Sequence, residues 1–183
     1  RLLAASKPML VVANKVDQAP EEFIAALTAE GAIAASAASE LALRKAAGAN
    51  LIHYIPGDAS FRPLQEAALT PAQRGGLAKI AEVMRRWQGT GVQRALDTAV
   101  FELLARIVVY PVEDEHRFSD SQGRVLPDAF LMRRGSTPRD LAFQVHSDIG
   151  EGFLYAIDAR SRMRIKENHI LKHGDIIKIV STR

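Results

Sequence analysis

The chain has no cysteine among its 183 residues, which excludes a disulfide framework and a thiolate metal site and fits a reducing compartment. It has no apolar run near the roughly 20 residues of a membrane span, and its first residues lack the basic-then-apolar order of a secretory signal. The expected location is the cytoplasm, with no membrane partner. The opening, RLLAASKPML, reads as a start inside a domain. An excess of one charge is lacking as well: 24 basic residues stand against 21 acidic ones, divided 11 to 10 over residues 1–105 and 13 to 11 over residues 106–183. Neither half is basic enough to bind nucleic acid through bulk charge, so any such contact needs a local patch. Finally, no glycine is followed by lysine. A phosphate-cradling loop of the form Gly-x-x-x-x-Gly-Lys-Ser/Thr needs that pair, and neither a switch threonine nor an Asp-x-x-Gly segment near a strand is evident.

What is present is an ordinary globular composition, 48% hydrophobic and 25% charged, with a change of period near residue 107. MLVVAN, after Pro8, reads as a buried parallel strand. APEEFIAALTAEG reads as a helix with Phe23, Ile24 and Leu27 inward and Gly31 as its stop. AIAAS is a second strand, and SELALRKAAG a helix capped at Ser39 and ended at Gly48. After the Pro- and Gly-broken connector NLIHYIPGDASFRPL, Thr70 and Pro71 open a helix with Leu77, Ile80, Val83, Met84 and Trp87 on one face. Val92, Leu96, Val100, Leu103 and Leu104 repeat that pattern, and the two helices are expected to pack as a hairpin. From IVVYPVED onward the chain turns strand-rich. One helix interrupts it, with a capping box formed by Thr137 and Asp140 and a stop at Gly150. The expected organisation is an α/β portion over residues 1–60, a helical segment over 61–106 and an α+β domain of β-grasp, ubiquitin-like form over 107–183.

The chemistry concentrates in KPMLVVANKVD. A loop at the carboxyl end of a parallel strand lies where α/β sheets bind ligands, and Asn14, Lys15 and Asp17 occupy that loop. In an Asn-Lys-x-Asp site the Asp carboxylate accepts from the guanine ring N–H and the exocyclic amine, a bidentate contact adenine cannot reproduce. The Asn ties the loop together and the Lys stem covers one face of the base. Ser36-Ala37, at the end of the second strand, is placed to present a backbone N–H to the guanine oxygen.

NKVD, SAASELALRKA, LIHYIPG, GTGVQ and the closing GSTPRDLAFQVHSDIGEGFLYAIDARSRMRIKENHILKHGDIIKIVS together resemble the carboxyl-terminal half of archaeal YchF-type GTPases of the Obg superfamily. The last part resembles a TGS domain. The resemblance implies the back part of a P-loop GTPase domain, then a helical hairpin, then a β-grasp TGS domain. It also implies a translation-associated protein that binds GTP or GDP and meets the ribosome, rRNA or tRNA. Relatives that prefer ATP carry Glu where this chain has Asp17, so the intact NKVD implies guanine. Without a P-loop, the chain by itself is expected not to hydrolyse GTP, and Mg2+ is expected only with the complete protein. The competing expectation is an RNA- or ribosome-binding TGS module without nucleotide chemistry.

Other candidates are weaker. His169 and His173 stand four apart but have no intervening glutamate, and a turn with solvated or capping histidines outweighs a zinc site. The run Glu113, Asp114, Glu115 reads as a solvated loop. Arg133, Arg134, Arg139, Arg160, Arg162, Arg164 and Lys166 could converge on RNA phosphates, with Phe153 or Tyr155 as a stacking surface. The alternative is a mixed-charge face, because Asp140, Asp148, Asp158 and Glu167 are interleaved.

Overall fold

The structure is a computed structural model that describes residues 7–182. Most of the opening RLLAASKPML therefore lies outside the described residues. The chain divides into two compact units, Arg1–Leu103 and Leu104–Arg183. Of the residues expected as a separate helical segment, 61–103 fall in the first unit, where their long helix is built into the core, and 104–106 fall in the second.

In that unit β1 (Val12–Asn14) pairs in parallel with β2 (Ile33–Ala35). Helix α1 (Glu21–Ala29) connects them, with Glu21 and Glu22 in its first turn, where the helix dipole favours acidic groups. Only Ile24 of its expected inward face is buried; Phe23 is 64% exposed and Leu27 is also exposed. Residues 23, 24 and 27 span more of the helix circumference than this small sheet covers. The first strand is likewise not buried on both faces: Ala13 points inward, whereas Met9, Val11 and Val12 are exposed.

Helix α2 (Ala37–Gly48) is capped by Ser36, whose Oγ accepts from the Ser39 N–H. Ser39 is thus the N3 partner and not the cap. A small antiparallel pair, β3 (Ile52–His53) with β4 (Arg62–Pro63), follows. Helix α3 (Pro71–Trp87) has the expected Thr70 cap, extended to a capping box by Gln73. Its apolar residues serve two clusters at once. Met84 is buried with Leu43, Ile52 and Tyr54, flanked by Leu77 and Ile80, while Val83 and Trp87 pack on Ala13, Val16 and Ile24. After a turn through Gln88–Gly91 comes α4 (Val92–Asp97), continued as a π-helix over Thr98–Leu103. Helix α4 lies against β2. Its expected inward face is half-buried at Val92 and Val100 and exposed at Leu96, Leu103 and Leu104.

The second unit is a five-stranded sheet in the order β6-β5-β9-β7-β8. Its strands are β5 (Arg106–Val112), β6 (Phe130–Arg133), β7 (Phe153–Asp158), β8 (Met163–Ile165) and β9 (Asp175–Ser181). Strands β5 and β9 run parallel and the other pairs antiparallel. Pro111 lies beyond Val109, where pairing with β6 has already ended, and β5 continues beside β9 through Val112. The helix expected as one piece is two, α5 (Pro138–Val145) and α6 (Ser147–Glu151), because His146 adopts an extended backbone. Leu141 of α5 is buried with Ile107, Val109, Met132, Ala156 and Ile177. This is the β-grasp arrangement of a helix on a mixed sheet.

Candidate functional site

Three local features shape the loop after β1. Lys15 sits in the left-handed region at φ 68°, and its carbonyl accepts from the Gln18 and Ala19 N–H groups, which closes a tight turn. A non-glycine residue in that region is held there by its surroundings, at a cost of order 1–3 kcal/mol. Val16 is buried and its N–H donates to Ala35 O of the neighbouring strand, pinning the turn to the sheet. Asp17, next in line, is thereby turned outward.

Asn14 Oδ1 accepts from the Lys15 N–H at 2.8 Å and from the Ala37 N–H at 3.1 Å, linking the loop to the first turn of α2. This corrects one expectation: the Ala37 N–H is committed to Asn14 and not open for a ligand oxygen. The Ala38 N–H, at the second helical position, has no acceptor among the described residues and is one of the donors that every helix N-terminus leaves unsatisfied.

Ser36 is fully buried. Its hydroxyl donates to Asp17 Oδ1 at 2.7 Å, while its Oγ lies 2.8 Å from the Ser39 hydroxyl and accepts the Ser39 N–H at 3.1 Å. With its single proton committed to Asp17, Ser36 Oγ accepts from both Ser39 groups. The Ser36 bond is the largest cause holding the Asp17 carboxyl below its ordinary value, with Gln18 and Lys15 adding to it against the effect of burial. Asp17 is consequently an ionised acceptor at neutral pH, exposed, with lone pairs left over for a ligand. A planar ring that offers two adjacent N–H donors fits this carboxylate. Among the described residues no group of three or more His, Asp or Glu side chains gathers to hold a metal.

A buried network supports Ser36 from behind. The Ser36 N–H donates to Thr90 O at 2.8 Å. Thr90 Oγ1 donates to Glu40 Oε2 at 2.6 Å, the Tyr54 hydroxyl donates to the same oxygen at 2.7 Å, and Arg44 Nε donates to Oε1 at 2.7 Å. Glu40 is only 5% exposed. Burial pushes its carboxyl up, but the bonds from Thr90, Arg44 and Tyr54 outweigh that and hold it below the ordinary range. Gly91 is required here: it has φ 76°, and a Cβ would lie 1.9 Å from Ala34 O. Only glycine lets this turn press on β2. Glu40, Tyr54 and Thr90 were missed from sequence, although each lies inside a stretch that carried the family resemblance. A buried hub leaves no spacing signature.

Beside Asp17 an open cleft of about 570 Å³ runs between the loop at Val16–Gln18, the start of α2 and one face of α3, from Gly76 through Lys79 and Val83 to Trp87. Arg86 of α3, which also lines the cleft, is ion-paired with Glu21 of α1.

In the second unit the seven candidate cations do not converge. Arg139 pairs with Glu167 at 3.3 Å, Arg160 donates to Gly174 O at 3.2 Å, and Arg164 lies 3.9 Å over the Tyr155 ring. Arg162 sits in the turn before β8 at φ 59°, and Lys166 shares a shallow cleft with Arg164 and Tyr155. Tyr155 is thereby covered, and Phe153 packs on the core. Arg133 and Arg134 instead line a cleft of about 560 Å³ with Arg106, Gln144 and Phe143. Phe143 is 47% exposed. Arg106 and Phe143 were not anticipated, because cross-strand register brings Arg106 opposite Arg133. Of the histidines, His173 Nδ1 accepts from the Val108 N–H and His146 Nδ1 from the Asp148 N–H.

Comparison with known proteins gives a family for each part. The G4 motif-containing domain of Obg-like, YGR210-like GTPases matches residues 12–114, and the TGS domain matches residues 122–181. A GTP-binding protein of Methanocaldococcus jannaschii is 46% identical over 99% of this chain and 47% of its own length. The crystal structure of a GTP-binding protein from Pyrococcus horikoshii OT3 superposes with a TM-score of 0.73 at 45% identity, covering 99% of this chain and 48% of that one. The chain spans about half the length of these relatives.

Proposed function

The chain belongs to the Obg-like GTPases of the YGR210-like type, with a G4 motif-containing domain followed by a TGS domain, and on that premise we propose that Asn14, Lys15, Asp17, Ser36 and Ala37 form its guanine-recognition element. The observation that carries this reading is the 2.7 Å bond from the buried Ser36 hydroxyl to Asp17, which orients the carboxylate and keeps it ionised. Guanine's ring N–H and amine donate to the Asp17 oxygens. The guanine carbonyl is received by the Ala38 N–H, since Asn14 holds that of Ala37. The Lys15 stem covers one face of the base. Adenine presents an acceptor where guanine presents the ring N–H, which sets a lone pair against the Asp17 carboxylate and disfavours adenine.

The nucleotide is GTP or GDP. Phosphate contacts, Mg2+ and hydrolysis are assigned to the complete protein, because these 183 residues contain no Gly-Lys pair to cradle phosphates. The complete protein is read as a cytoplasmic, ribosome-associated GTPase.

Titration of this chain with GDP and ADP tests the base site. The wild type is expected to prefer GDP by about tenfold or more, corresponding to about 1.4 kcal/mol. Asp17→Asn places an amide donor against guanine's donors and should abolish the preference. Equal affinities for GDP and ADP in the wild type would overturn the assignment.

One observation favours a second reading, RNA contact by the TGS domain. Arg106 and Arg133 stand directly opposite across β5 and β6, and like charges so placed destabilise a sheet. Neither has a carboxylate partner among the described residues, while exposed Phe143 offers a stacking surface. Arginines with an aromatic face suit single-stranded RNA. Arg133→Ala should weaken binding of a single-stranded RNA and lower the salt slope by about one, while leaving the GDP preference intact. An unchanged salt slope removes Arg133 from the RNA contact.

A further inference from the structure

Helix α3 carries two adjacent glycines, Gly75 and Gly76, in its interior. A glycine inside a helix is destabilising relative to alanine. Neither has a positive φ, and a Cβ built on either would meet nothing within 4 Å. Neither backbone conformation nor packing among the described residues therefore accounts for them. The two are not equivalent: Gly76 lines the cleft that opens from Asp17, and Gly75 does not. Lys79, Ile80 and Val83 follow Gly76 at three, four and seven residues, so one face of α3 forms the wall opposite the Asp17 loop. At about 570 Å³ the cleft is of the size that small-molecule sites have.

The geometry points to Gly76 as a specificity-determining residue: its missing side chain admits the guanine base, so that the base is held between the Val16–Gln18 loop and the Gly76 face of α3. This inference rests on the guanine reading of Asp17 and adds its second wall. The apolar Ile80 and Val83 and the stem of Lys79 supply contact area on that side, and Lys79 has no acidic partner among the described residues. A side chain at position 76 projects into the space the base would fill. One at position 75 points elsewhere on the same helix.

Gly76→Leu and Gly75→Leu form a matched pair. Both raise helix propensity equally, so neither should lower the melting temperature, and a loss of binding in one alone is not a folding defect. Guanosine 5′-monophosphate is titrated into the wild-type chain and the variants. Binding is followed by the fluorescence of Trp87, the single tryptophan, which lines the cleft, and by the Gly76 amide in nitrogen-proton correlation spectra.

The expected result is a tenfold or greater loss of affinity in Gly76→Leu, no more than twofold change in Gly75→Leu, and a ligand-dependent shift of the wild-type Gly76 amide. If Gly76→Leu binds as the wild type does while Asp17→Asn loses its preference for guanine, the second wall is refuted and the Asp17 site stands. Equal loss in both leucine variants refutes the wall as well. If the wild type shows no guanine-dependent signal at millimolar concentration, the Asp17 reading falls and the wall with it.

Discussion

Single side chains in this protein are held by partners distant in sequence, and Glu40 is the clearest case. It accepts from Thr90, Tyr54 and Arg44, and Thr90 in turn accepts the Ser36 N–H beside Asp17. Glu40→Ala leaves two buried hydroxyls without their acceptor, at about 2–4 kcal/mol, measurable by urea denaturation. The loss of guanine preference should accompany it, because Ser36 loses its support. The same hub predicts an alkaline limit. Burial, with the Glu40 carboxylate beside it, pushes the Tyr54 hydroxyl up to about 12. The folded state holds that proton more tightly than the unfolded one, so the contribution is intact below pH 10 and is lost as pH rises from 10 towards 12. Tyr54→Phe should flatten the melting temperature over that window while lowering it at neutral pH. A wild-type melting curve that is flat between pH 10 and 12 would contradict the Tyr54 assignment.

Among the elements, the contact of the Thr90–Gly91 turn with β2 sets how closely α4 can approach. A Cβ at Gly91 would overlap the Ala34 carbonyl, and the positive φ disfavours any side chain. Gly91→Ala is therefore expected to cost about 3 kcal/mol or more and to expose the β2 amides to hydrogen exchange. Gly48→Ala, where a Cβ meets open space in a helical conformation, should be neutral or slightly stabilising and serves as its control. Helix α3 shows the converse economy: its capping box and its two-sided apolar surface tolerate a glycine pair that a shorter, one-sided helix would not.

At the scale of the molecule, the two units have separate cores, and no helix among the described residues is long and apolar enough to cross a membrane. The first unit presents Met9, Val11 and Val12 on and beside the two-stranded sheet, with Val11 61% exposed. A small sheet with an open edge and an apolar surface invites association. Sedimentation velocity should show concentration-dependent self-association that Val11→Lys reduces. A monomer at all concentrations, with fully protected amides from Met9 to Ala13, would contradict this.

Much of this was legible in the sequence. The strand-loop-helix order around NKVD, the Thr70 and Thr137 caps and the β-grasp order of the last 77 residues depend on local periodicity and turn chemistry, which short stretches encode by themselves. Local pattern misplaced the cap of α2, because a serine at position 36 or 39 satisfies the same rule and only the strand end at Ala35 chooses between them. It also left open whether seven cations converge or lie on a mixed-charge face, since the register that sets Arg106 opposite Arg133 and the contact that sends Arg139 to Glu167 are long-range properties. Residue order alone thus determined that the protein carries an Asn-Lys-x-Asp loop and a Ser-Ala partner for it. The tertiary structure decided which atoms those residues commit to one another, because Ala37 is taken by Asn14, Asp17 is oriented by Ser36, and Ser36 rests on Thr90 only once the chain has closed on itself.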